Sequence, residues 1–104
     1  MTDPLARLLS SLPQDLTGIA EVRLDREPTG AVLRLGSAEL AGDGTSRFRA
    51  TVRIARGIAI VTRTAWRGRA VRTDTIQATP EALGQAMARA VAWVSGGSET
   101  TKGG

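Results

Sequence analysis

The sequence predicts an α+β domain: a short N-terminal helix, an antiparallel β-meander of about five strands, and a C-terminal helix packed on one face of the sheet. Three observations predict it. Leucines recur at helical spacing over residues 5–12, apolar residues alternate at period two through most of residues 20–77, and a second helical stripe follows Thr79-Pro80.

Asp3 is the expected cap of the first helix, its carboxylate accepting from free N–H groups while Pro4 fills the position where a missing donor costs nothing. Leu5, Leu8, Leu9 and Leu12 form its apolar stripe and Pro13 stops it. Ala20, Val22 and Leu24 then alternate with Glu21, Arg23 and Asp25. After the turn at Glu27-Pro28-Thr29-Gly30, Ala31, Leu33 and Leu35 alternate with Val32 and Arg34, which completes a hairpin.

The clearest strand places Phe48, Ala50, Val52 and Ile54 on one face and Arg47, Arg49, Thr51 and Arg53 on the other. Arg56-Gly57 and Arg67-Gly68 read as turns, giving strands near 46–55, 58–66 and 69–77. A three-residue loop, Ala55-Arg56-Gly57, pairs Ile54 with Ile58 and Val52 with Ile60, so Phe48, Val52, Ile54 and Ile60 are expected in the core. That register sends Arg49 and Arg63 together to the outer face. The last helix runs from Thr79-Pro80 to about Val94, with Gly96-Gly97 as the stop. Residues 1–96 form one domain and the small, polar 97–104 a disordered tail.

Composition narrows the function classes. The 104 residues contain no Cys and no His, which removes disulfides, thiolate zinc sites and the usual proton shuttle at neutral pH. No metal or cofactor is expected, and no triad or phosphate loop is visible. Gly42-Asp43-Gly44-Thr45-Ser46 lacks a Walker lysine and precedes a strand, so it reads as a plain turn. No apolar run reaches the length of a membrane span, and Asp3 stands where a secretory signal carries basic residues. The expectation is a soluble, cytoplasmic protein that is not an enzyme and binds no membrane.

Charge is the most informative feature. Residues 1–43 carry four arginines against seven carboxylates, whereas residues 44–78 carry eight arginines against Asp74 alone. Arg47, Arg49, Arg53, Arg63 and Arg72 on the strands, with Arg67 and Arg69 at a hairpin tip, are candidate phosphate ligands. Trp66, beside that tip, either stacks on a base or turns inward. The leading expectation is a binding module that contacts a polyanion, nucleic acid foremost, without sequence specificity. The alternative is a structural or adaptor subunit of a multi-protein assembly, for instance a phage-like one, whose basic face meets an acidic protein surface. Phe48, Trp66 and Trp93 are the only aromatics, a thin core that favours a homo-oligomer, with Ala86, Ala90 and Trp93 of the last helix as candidate contacts.

Overall fold

The computed structural model describes residues 3–65 and 69–96. Its elements follow in the order α1 (Pro4–Ser11), β1 (Ile19–Glu27), β2 (Gly30–Ser37), β3 (Phe48–Ala55), β4 (Ile58–Ala65), β5 (Arg69–Gln77) and α2 (Pro80–Gly96). The strands form one antiparallel sheet in the order β1-β2-β3-β4-β5, and α2 lies chiefly over β2 and β3. This is the predicted α+β architecture. Trp66, Arg67 and the 97–104 segment lie outside the described residues, as does the side chain of Arg69.

Both helix starts obey local chemistry. The Asp3 side chain accepts from the Leu5 N–H with Pro4 in the first turn, and Thr79 Oγ1 accepts from the Ala82 N–H. Leu8 is fully buried, while Leu9, on the far flank of the stripe, stays 61% exposed. The inner face of the sheet joins Ala31, Leu33, Leu35, Ala50, Val52, Ile54, Ala59 and Val61 to Leu83, Met87, Ala90 and Val94 of α2 in one cluster. Phe48 is partly buried against this cluster, with its ring edge-on to Trp93 at 5.2 Å.

The expected register of the β3–β4 hairpin is corrected. Arg56 and Gly57 form a two-residue loop with φ of 54° and 77°, so Ala55 pairs with Ile58, Ile54 with Ala59 and Val52 with Val61. Two successive positive φ values give the turn whose twist matches that of the flanking strands. The shift by one residue turns β4 over. Ile58 and Ile60 face outward at 47% and 40% exposure, and Ala59, Val61 and Arg63 face the helix. Ile60 is therefore outside the core, and Arg63 is on the opposite face from Arg49.

The contact surface expected on α2 is corrected as well. Ala86, Ala90 and Trp93 are all buried within the chain itself. Trp93 Nε1 donates to the carbonyls of Arg49, at 3.1 Å, and Thr64, at 3.2 Å, which ties the end of α2 to β3 and β4. A thin core thus closes by using its one described tryptophan as both apolar filler and polar anchor.

Candidate polyanion interface

The arginines expected on one field divide between the two faces of the sheet. On the outer face, Arg53 holds Glu27 in a fork: Nε donates to Oε1 at 2.8 Å and Nη2 to Oε2 at 3.1 Å. Between β3 and β1, β2 presents Gly30 and Val32. A Cβ at Gly30 would fall on the Ile54 carbonyl oxygen, so the backbones of β2 and β3 approach too closely there for any other residue. Arg34 donates to Asp25 at 2.9 Å, and Arg23 approaches the same carboxylate at 3.8 Å. Val32 is only 1% exposed, although it lies outside the cluster beneath the helices. Its neighbours on that face are Arg34, two residues on along β2, and Arg53, directly opposite on β3, long side chains of the kind whose stems can cover apolar surface.

These pairings are electrostatic matches within the chain. Hydrogen bonding from Arg53 lowers the Glu27 pKa from its ordinary value, and that from Arg26 does the same for Asp3. Arg47 donates to Glu39 at 3.1 Å and sits 5.8 Å from the Phe48 ring centre. Arg49 has no carboxylate within ion-pair distance among the described residues. It lines a shallow depression of about 240 Å³ with Glu21, Arg34, Thr51 and Thr64.

The arrangement differs at the β4–β5 end, on the helix side. Arg63 is 4% exposed, and its Nη2 lies 3.5 Å from Asp74 Oδ2. Arg72 Nε reaches Asp74 Oδ1 at 3.2 Å. Arg89 of α2 lines a small cleft of about 20 Å³ with Arg63, Asp74, Val61, Ile76 and Ala86. Two guanidinium groups therefore reach one carboxylate, and a third arginine, Arg89, lines the cleft beside them. The register produces this cluster, because Val61 pairs with Asp74 and Arg63 with Arg72, which puts all three charged side chains on the helix side. The cleft holds about one water, the size of a single oxygen of an oxyanion, with Arg63 lining it from the strand side and Arg89 from the helix.

Of the residues expected to bind, Arg49 and Arg53 share the outer face, Arg47 pairs beside the β3 start, and Arg63 and Arg72 form the inner cluster. Arg69 opens β5, with its side chain outside the described residues, as are Trp66 and Arg67. Arg89 and the hub role of Asp74 were not foreseen. Arg89 could have been found from its position between Ala86 and Ala90 on the border of the apolar stripe, where a long side chain can reach past the helix.

The glycine-rich segment is a turn, with Asp43 accepting from the Thr45 N–H and hydroxyl. Among the described residues, no group of three or more metal-binding side chains occurs, and no helix is long and apolar enough to cross a membrane. Comparison of the chain with protein-family models, curated proteins and solved structures finds no match.

Proposed function

We propose that this chain is a non-catalytic binding module for a polyanion, nucleic acid foremost, and that the contact centres on the β4–β5 end. One observation carries this reading: Arg63 and Arg72 both reach Asp74 and Arg89 lines the cleft beside them, so arginines from two strands and a helix meet at one place, while Arg47 and Arg53 are each matched to a separate carboxylate elsewhere. A guanidinium already forked to a carboxylate must break that pair before it binds phosphate. Arginines gathered from several elements at one place raise the local positive potential that attracts an incoming anion. Such binding reads phosphates and not bases, which fits the absence of any described aromatic platform on the open face.

Titration of duplex DNA, single-stranded DNA and RNA at several salt concentrations tests the reading. Binding that weakens steeply with salt and is similar across sequences is expected, because counterion release dominates such contacts. Absence of binding to all three at low salt would reject it.

The second reading is an adaptor whose basic end meets an acidic protein surface. Ile58 and Ile60, exposed on the open face of the sheet, favour it, since apolar side chains add to a protein contact and little to a phosphate one. Neither reading invokes a cofactor or a bond-making step.

A further inference from the structure

We infer that a second copy of this chain adds to the free edge of β5, in an antiparallel register centred on Thr73, to give a continuous ten-stranded sheet. The inference does not rest on what the arginines bind. It starts from the two edges of the sheet. β1 carries Glu21, Arg23, Asp25, Arg26 and Glu27, of which Arg26 is engaged with Asp3 at the α1 cap, Asp25 with β2 and Glu27 with β3. An edge dressed in this way resists a further strand. β5 reads Val71, Arg72, Thr73, Asp74, Thr75, Ile76, Gln77, and no described strand pairs with its far side. Val71, Thr73 and Thr75 are exposed and β-branched, the residue type suited to a pleated ladder.

Symmetry and charge select the register. Two copies of one strand related by a two-fold axis must centre on a single residue, so that each face of the sheet continues across the seam. Centring on Asp74 or on Arg72 sets like charges directly opposite each other. Centring on Thr73 sets Arg72 opposite Asp74 of the second copy and Asp74 opposite its Arg72, with Thr73 facing Thr73 and Val71 facing Thr75. The extra residue at Val71, where β5 bulges against β4, ends the regular ladder, so about five residues pair on each strand.

The helices permit this approach. Because α2 lies over β2 and β3, five strand spacings separate the two β3 strands, about 24 Å. Two helices each about 10 Å across stand clear of each other at that distance. Between them the paired β4 and β5 strands form the floor of a groove, and the two Arg63, Arg72 and Arg89 clusters lie along it.

Sedimentation and cysteine cross-linking of the whole chain test the inference. The chain has no cysteine of its own, so a single introduced thiol can pair only with another copy. Opposed residues in an antiparallel ladder have Cα atoms about 4.5–5.5 Å apart, within disulfide range. Thr75 to Thr75 in this register is offset by four residues, about 13 Å, and lies beyond it. The chain should sediment at twice its 10.9 kDa mass at tens of micromolar. Thr73→Cys should cross-link under mild oxidation and Thr75→Cys should not, although both sites are exposed. Thr73→Lys, which opposes two like charges at the axis, should sediment as a folded monomer with an unchanged circular dichroism spectrum. A wild-type monomer at 100 µM, equal cross-linking at both sites, or a dimeric Thr73→Lys would overturn the inference.

Discussion

The two halves of the sheet solve the same charge problem differently. From β1 to β3, arginine and carboxylate are matched across strands on the outer face, as Arg53 is with Glu27, 26 residues away. At β4 and β5, arginines dominate one face around Asp74, while threonines and two exposed isoleucines occupy the other. In the first half most outer-face arginines are matched to carboxylates, and its edge strand is charged. The second gathers arginines around Asp74, and its edge strand, β5, has no further described strand beside it. Folding requirements suffice to explain the first arrangement, and the second is where binding can be gained.

The largest expected effect breaks the link between the halves. Trp93→Ala removes a buried ring that donates to carbonyls of both β3 and β4, and should cost about 3–5 kcal/mol in denaturant unfolding. A loss under about 1 kcal/mol would mean that α2 is held elsewhere.

A smaller effect sharpens the account of β4. Val61→Ala, beneath the helix, should cost about 2 kcal/mol for its two lost methyl-sized groups. Ile60→Thr, on the open face, should cost under about 1 kcal/mol although it removes comparable apolar surface. The reverse ranking would restore the register in which Ile60 is core.

The smallest effect is confined to the charged half. Hydrogen bonds from Arg26 and Arg53 lower the folded-state pKa of Asp3 and Glu27 below their ordinary 3.8 and 4.5. Their contribution to stability is therefore fully present above those values and is lost as pH falls through the lowered ones. Melting temperature should decline on acidification below the ordinary values, and Asp3→Asn with Glu27→Gln should flatten that decline. A pH profile identical to wild type in the double variant would show that the pairs contribute nothing to folding.

What the sequence revealed follows the range of the interactions involved. Caps at Asp3 and Thr79 and the β-meander were legible because a few neighbouring residues determine them. The β3–β4 loop was not, since placing Arg56 at positive φ is locally unfavourable, and what favours it, the strand twist and the burial of Ala59 in the core, lies outside the loop itself. That one loop residue decided the face of Arg63, and with it whether the arginines formed one field or two. Counting charge along the chain located the basic segment correctly. It could not show that Glu27 neutralises Arg53 from 26 residues away, or that Arg89 joins the cluster from α2.

The central claim is that polyanion contact belongs to the β4–β5 end. Its most direct test compares the salt dependence of single-stranded RNA and duplex DNA binding for Arg72→Ala/Arg89→Ala and for Arg34→Ala/Arg53→Ala. If Arg72 and Arg89 each contribute one phosphate contact, the first pair should reduce the slope of log affinity against log salt by about 1.8 on duplex DNA and about 1.4 on single-stranded RNA. The second pair should leave the slope close to wild type. A larger reduction from Arg34 and Arg53, or no change from Arg72 and Arg89, would contradict the account.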